Sequence, residues 1–301
     1  TLFNRLAHAL RRNTRRGSKR NIEAHYDLSN DFFARWLDPT MTYSCGIFAS
    51  PEDTLEQAQF NKYDRIIEKA DIRADHHVLE IGSGWGGFAI RAARQTGCRV
   101  TTITLSAQQL ELARARVAEA GLSDRIAVEL CDYRDVTGAF DRIVSIEMLE
   151  AVGRDYFDTF FNRLDHLLKP GGRAVIQVIT IPDHRYEPYR RNPDWIQKRI
   201  FPGGMLPSLE IMGRSIRKTT AMRLTQLENF GHHYAETLRC WHERFQSAAH
   251  DLAHLGFDER FQRMWRYYLS YCEAGFRASA IYLLQLTLWK PDGSDRSPSR
   301  A

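Results

Sequence analysis

The 301-residue sequence predicts an α/β fold built on a doubly wound, mostly parallel sheet. Three observations support this. Short apolar segments alternate with amphipathic ones from Val78 onward. The first of them breaks into glycines and resumes as a helical pattern. Residues suited to holding a ligand follow the ends of several apolar segments.

A helical lead-in over residues 22–75 comes first, and Ile22 to Leu37 reads as a helix stopped by Asp38-Pro39. Within the core, 76–181, the first strand is Val78–Ile81. Gly82-Ser83-Gly84-Trp85-Gly86-Gly87 then turns the chain, because glycine accepts positive φ and lets a ligand approach the backbone. The helix near 85–95 offers its free N–H groups to that ligand. Strands Val100–Thr104, Ile126–Leu130, Arg142–Ile146 and Ala174–Ile181 follow, with helices near 106–120 and 153–168. Ligands of such sheets lie at the carboxyl ends of the strands. Gly82, Thr104, Asp132 and Glu147 all follow strand ends and are expected to share one crevice.

The segment 182–220 differs, with Pro182, Pro188, Pro193, Pro202 and Pro207 among Tyr186, Tyr189, Trp195, Phe201 and Met205. It carries too many apolar side chains for a solvated linker and reads as a substrate-binding insertion whose Phe201 and Met205 face an acyl chain. Helices over 232–250 and 257–278 and a last strand, Ile281–Trp289, complete the region 221–290. The Ser/Pro-rich tail 291–301 reads as flexible.

Composition, 43% hydrophobic and 26% charged, excludes a disordered chain. No apolar run approaches the roughly 18 residues of a membrane span, and no secretory leader is visible. Cys45, Cys98, Cys131, Cys240 and Cys272 show neither Cys-x-x-Cys nor a matching histidine spacing, so no metal site and no disulfide framework is expected, which fits a reducing cytoplasm. The chain begins at Thr1 rather than Met, which leaves room for an upstream segment.

Net charge is +5, and Arg5, Arg11, Arg12, Arg15, Arg16, Lys19 and Arg20 lie in the first twenty residues with no acid among them. Leu2, Phe3, Leu6, Ala9 and Leu10 recur there at helical spacing. Residues 1–21 thus read as a basic amphipathic segment that docks on the anionic inner face of a membrane, against the plainer alternative of a solvated tail. No base-reading motif accompanies the charges, and nucleic acid is not an expected partner.

The glycine turn lacks the dinucleotide pattern, which wants an acid about 20 residues on; the next strand, Arg99–Thr104, ends without one. Glu80-x-Gly-x-Gly instead resembles motif I of S-adenosylmethionine-dependent methyltransferases. Further phrases occur in order along the chain. They are His25-Tyr26-Asp27-Leu28-Ser29-Asn30-Asp31-Phe32-Phe33, Met41-Thr42-Tyr43-Ser44-Cys45, Thr104-Leu105-Ser106 with Gln109, Cys131-Asp132-Tyr133-Arg134-Asp135, Phe201-Pro202-Gly203-Gly204, and Tyr267-Tyr268-Leu269 leading to Gly275-Phe276-Arg277. Together they resemble the cyclopropane-fatty-acid synthase family, which methylates double bonds in lipid acyl chains.

The resemblance implies a class I, Rossmann-like methyltransferase fold with a final antiparallel strand. It also implies S-adenosylmethionine held by Tyr43, Ser44, Gly82, Gly84, Thr104, Gln109, Asp132 and Tyr133. Read by itself, Tyr133 is first a core aromatic, and only its place after a strand end beside Asp132 turns it toward a ligand. Unsaturated phospholipid acyl chains are the implied substrate and a homodimer an implied assembly. In the best-known members a bound bicarbonate is the base, cradled by a Cys, a Glu, a His, a Tyr and a backbone amide. The matching residues here are Cys45, Glu150 and Tyr268, with Gln177 at the His position.

The family's Phe-Glu-His-Val-Gly phrase reads Ile146-Glu147-Met148-Leu149-Glu150-Ala151-Val152-Gly153 in this chain, which adds a carboxylate at Glu147. One acid at a strand end is ordinarily a solvated loop residue; two at i and i+3 beside a ligand crevice require partners. The expectation is that Glu147 replaces bicarbonate and is oriented by Glu150, Tyr268 and Gln177. The phrases Ile181-Pro182-Asp183-x-Arg185-Tyr186 and Phe201-Pro202-Gly203-Gly204 resemble a branch that makes cyclopropane, methylene or methyl-branched fatty acids, so the product stays open. Cyclopropane formation is the first reading. N-methylation of a small amine, and a binding module without turnover, are the alternatives.

Overall fold

The structure, a computed structural model, describes residues 28–292. The basic segment 1–21 and most of the 291–301 tail lie outside the described residues.

Strands β1 (His77–Ile81), β2 (Arg99–Thr104), β3 (Ile126–Leu130), β4 (Phe140–Ile146) and β5 (Leu168–Thr180) run parallel. In register, Val78 of β1 lies opposite Val100 of β2 on one side and Arg142 of β4 on the other. Two more strands, β6 (Arg223–Asn229) and β7 (Tyr282–Trp289), complete a seven-stranded sheet in the order β3-β2-β1-β4-β5-β7-β6. β7 is antiparallel to both β5 and β6, so the expected final antiparallel strand is present and enters between its neighbours. The order reverses between β1 and β4, and the crevice outside such a switch point is where ligands of this architecture bind.

Helices cover both faces, which is why β1, β4 and the second half of β5 are almost continuously buried. On one side α2 (Leu55–Ala70), α3 (Gly87–Thr96) and α4 (Ala107–Glu119) pack Tyr63, Ile66, Phe88, Ala92, Ala113 and Val117 against Val78, Val100 and Val144. On the other, α6 (Phe157–Leu167) buries Phe157, Phe160, Phe161 and Leu164 against Leu79, Ile143 and Ile176. A short α5 (Leu149–Val152) and a single 3-10 turn (Arg154–Tyr156) precede α6, where one helix over 153–168 was expected.

The insertion folds as α7 (Asp183–Arg191), α8 (Trp195–Arg199) and α9 (Leu209–Thr219). Asp194 caps α8 in a reciprocal capping box with Gln197. Met205 is 6% exposed and packs into the core with Leu149 and Phe160, not against open space. An aromatic cluster joins α1 (Asn30–Ala34), α10 (Gly231–Ser247) and α12 (Glu259–Arg277). Phe32 meets Trp265 edge-on at 5.1 Å and Trp36 meets Trp241 at 5.7 Å.

Three other expectations need correction. Helix covers only Asn30–Ala34 among the described residues of 22–37, because the chain turns at Ser29 (φ +70°), whose side chain caps α1. The 232–250 helix divides into α10 and α11 (Ala249–His254). β6 was missed: it is an edge strand exposed along almost its whole length, and Arg-Leu-Thr-Gln-Leu-Glu-Asn has no apolar alternation to announce it.

Candidate active site

A cavity opens at the carboxyl ends of β1, β2 and β4, lined among others by Tyr43, Ser44, Glu80, Gly82, Gly84, Thr104, Gln109, Tyr133 and Glu147. Seven of the eight residues expected around a cofactor, all but Asp132, therefore meet on its wall. Gly82 (φ +98°) and Gly84 (φ +48°) hold the turn in the left-handed region. A Cβ on Gly84 would meet no atom within 4 Å, so the backbone there faces open space that a ligand can fill. Thr104 Oγ1 donates to Gln109 Oε1 at 2.8 Å, which leaves the Gln109 amide N–H2 as the donor side of the pair. Tyr133 is 8% exposed, packs edge-on against Phe160 at 5.5 Å and keeps a hydroxyl with no partner among the described residues. It is both a core aromatic and a wall residue.

Asp132 is placed differently. Arg134 binds it through Nε at 2.8 Å and Nη2 at 2.6 Å, and the pair is about nine-tenths buried. The carboxylate that was expected to face a ligand is paired with a cation two residues on.

Glu147 stands one residue beyond β4 at φ +51°, a conformation that costs a non-glycine residue roughly 1–3 kcal/mol and is tolerated where the surroundings enforce it. Its N–H donates to Gln177 O at 2.8 Å, which fixes the turn to β5. The carboxylate collects three donors: Cys45 N–H on Oε1 at 3.0 Å, Gln177 Nε2 on Oε1 at 2.8 Å, and Tyr234 Oη on Oε2 at 2.6 Å. Burial pushes the Glu147 pKa up, and those donors with the Lys62 charge pull it back. The result is a desolvated carboxylate held in one orientation against the cavity, the geometry a general base needs.

Of the three residues expected to orient Glu147, Gln177 hydrogen-bonds to it, and Glu150 and Tyr268 have other partners. Cys45 and Gln177 hold Glu147, Cys45 through its main chain. The Cys45 thiol bonds to Gly46 O at 3.0 Å and is pushed well above its ordinary range by burial and by Glu147, so it stays neutral. Tyr268 does not orient Glu147: its hydroxyl meets that of Tyr43 at 2.7 Å. Tyr234 supplies the phenol instead, its ring stacked on Phe276 at 4.4 Å. Glu150 accepts from Ile179 N–H at 2.5 Å, and its other oxygen is buried without a partner among the described residues. Burial and then the Glu147 charge push Glu150 up to about 8, which makes it largely a neutral acid at pH 7.

Sequence reasoning missed Lys62 as well as Tyr234. Lys62 is fully buried, donates to Ser44 Oγ and Gln59 Oε1 at 2.6 Å each, and lies over the Tyr63 ring. Burial pushes it down to about 8, against the pull of Glu147, Cys45, Asp38 and Glu80. Because an ammonium only donates, Ser44 Oγ is its acceptor and the Ser44 proton is free for another acceptor. The signal was present: Leu55, Ala58, Gln59, Lys62, Tyr63 and Ile66 form the buried face of α2, and a lysine there is out of place unless it has work. Among the described residues no helix is long and apolar enough to cross a membrane, and no cluster of His, Cys, Asp and Glu could hold a metal.

The chain is similar to several known proteins over most of its length. The chain is 49% identical over 278 residues to tuberculostearic acid methyltransferase UfaA1 of Mycobacterium tuberculosis, which covers 90% of this chain and 65% of that protein. It is 41% identical over 264 residues to the cyclopropane-fatty-acyl-phospholipid synthase of Escherichia coli, covering 87% and 65%. The chain thus spans slightly under two thirds of the length of these curated relatives. The crystal structure of mycolic acid cyclopropane synthase CmaA1 complexed with SAH and CTAB superposes with a TM-score of 0.85 at 32% identity, covering 90% of this chain and 98% of that one. The profile of one family matches residues 13–286, a span that includes every wall and cradle residue above. On this match and these identities, the chain belongs to the mycolic acid cyclopropane synthetase family.

Proposed function

We propose that this chain is a methyltransferase that adds the methyl carbon of S-adenosylmethionine to the double bond of an unsaturated fatty acyl chain, with Glu147 as the base. The observation that carries the reading is the Glu147 carboxylate, fixed by Cys45 N–H, Gln177 and Tyr234 and turned to the cavity. When bound, S-adenosylmethionine supplies an electrophilic sulfonium methyl. Gly82 and Gly84 leave room for it, while Ser44, Thr104, Gln109 and Tyr133 offer polar groups on the wall.

An alkene is a weak nucleophile, so the residues of the site must hold it dry and close. The aromatic cluster and Phe201, which meets Tyr268 edge-on at 6.0 Å, supply an apolar side for the chain. Addition of a methyl cation leaves a positive carbon on the acyl chain. Glu147 stabilises that charge and accepts the C–H proton whose electron pair completes the product. A proton taken from the new methyl closes a cyclopropane ring; one taken elsewhere leaves an isomeric alkene without a ring. Ring closure is the first reading. The relative at 49% identity is named a methyltransferase and the one at 41% a cyclopropane synthase, which favours keeping the ring-free product as the second. Phospholipid as the carrier of the acyl chain, and docking of residues 1–21 on an anionic membrane, belong to the same proposal.

The test is incubation with methyl-labelled S-adenosylmethionine and vesicles of dioleoyl phosphatidylglycerol in carbonate-depleted buffer, with the fatty acids analysed by mass spectrometry and proton NMR. Label in the acyl chain without added bicarbonate is expected, and Glu147→Gln should lower it at least about 10²-fold, the usual scale for loss of a general base. Strong activation of the wild-type protein by bicarbonate, or near-normal turnover by Glu147→Gln, would remove Glu147 from the role.

A further inference from the structure

We infer that Lys69 is a positioning residue for Glu147, acting through the side chains of Gln285 and Gln177; this rests on the reading of Glu147 as the base. Lys69 Nζ, near the end of α2, donates to Gln285 Oε1 at 2.7 Å. Gln285 Nε2 donates to Gln177 Oε1 at 2.8 Å, and Gln177 Nε2 donates to Glu147 Oε1 at 2.8 Å. The two glutamines are directly opposed on β7 and β5 and are at most 1% exposed, so water does not compete for their amides.

A primary amide is nearly symmetric in shape, and exchanging its oxygen and nitrogen costs little in packing. Its direction must therefore come from what it touches. An ammonium has only donors and a carboxylate only acceptors. With Lys69 at one end, Gln285 presents oxygen to the lysine and N–H2 to Gln177, and Gln177 in turn presents N–H2 to Glu147. The reverse order would set an amide oxygen against the carboxylate and an N–H2 against the ammonium. Aligned in one sense, the dipoles reinforce each other in a dry interior.

Other charged or titratable groups stand around both ends. Lys69 also pairs with Glu228, which Arg65 shares, and Glu68 is near. Glu147 is faced by Lys62 from α2, Cys45 from the preceding loop, Glu150 from α5 and Tyr234 from α10, with Tyr268 of α12 next to Tyr234. Among the described residues none of these hydrogen-bonds to either side-chain amide, so none sets its direction.

The experiment is the pH dependence of kcat/KM for methyl transfer to the same vesicles, measured on Lys69→Met, Lys69→Glu, Lys69→Arg, Glu228→Gln and Gln285→Leu chains, with thermal melts and S-adenosylmethionine affinity as controls. Lys69→Met frees the amides and weakens one donor to Glu147, so the acid limb should rise by about one pH unit. Lys69→Glu demands the reverse order and should move it further. Lys69→Arg, which keeps the donors, and Glu228→Gln, which removes only the ion pair, should leave it in place. In the Gln285→Leu background, Lys69→Met should move nothing further. An unmoved limb in folded Lys69→Met protein, or a shift that persists in the Gln285→Leu background, would overturn the proposal. Near-normal turnover by a Glu147→Gln chain measured alongside would instead overturn the base reading, so the two failures are separable.

Discussion

Replacing Tyr234 by Phe removes one oxygen and leaves a ring that still stacks on Phe276 at 4.4 Å, so the fold should survive. What is lost is the 2.6 Å donation to Glu147 Oε2. A hydrogen bond to a charged group is worth about 1.5–3 kcal/mol, and a pKa unit is 1.36 kcal/mol, so loss of this donor should raise the Glu147 pKa by about 1–2 units. The sign follows from which form is stabilised: the phenol, whose own proton is held by burial and by the Glu147 charge, favours the carboxylate. Removing it favours the carboxylic acid. A base must be ionised, so the acid limb of kcat/KM should move to higher pH by the same 1–2 units, while S-adenosylmethionine affinity stays within about twofold. Tyr268→Phe breaks the contact with Tyr43 and should leave the limb where it is. The assay is label transfer to oleoyl phospholipid across a pH series. A Tyr234→Phe profile that overlays the wild type, or a larger shift in Tyr268→Phe, would refute the cradle described here.

Two further outcomes follow from the cavity wall. Gly84→Ala places its Cβ in open space at φ +48°, which costs the fold about 1–2 kcal/mol, while S-adenosylmethionine affinity should fall at least about tenfold because the same space is the ligand's; unchanged affinity by calorimetry would show that the ligand lies elsewhere. Glu80 is pushed up to about 8 by burial against an ordinary value of 4.5, so the stability it contributes is complete below pH 4.5 and is lost as pH rises toward 8. Glu80→Gln should flatten the fall in melting temperature over that range in the ligand-free protein, and an unchanged slope would show that Glu80 ionises normally.

Most of the sheet could be read from the sequence because β1, β2, β4 and β7 are buried on both faces and become short apolar runs. β6, with solvent along its length, carries no such mark. In the site, Glu147 was legible because it follows the end of β4, where chain order translates directly into position, and Cys45 and Gln177 because they align with phrases of the family resemblance. The tyrosine was not. Tyr234 and Tyr268 both lie on helices in one aromatic cluster, and only the packing of α10 against the sheet decides which hydroxyl reaches the end of β4. The pairing of Asp132 with Arg134 is local, and nothing in the phrase Cys131–Asp135 announces it.

The placement of β7 has a consequence for how the protein is made. β6 has no other strand to pair with, and Gln177 has no other amide to hold its oxygen, until Tyr282–Trp289 slides between β5 and β6. A chain growing on the ribosome releases its first five strands before the strand that carries Gln285. Closing contacts between distant parts of a chain is slow, and β7 makes such contacts with both β5 and β6. Gln177 therefore gains its partner amide only when the last described strand is in place.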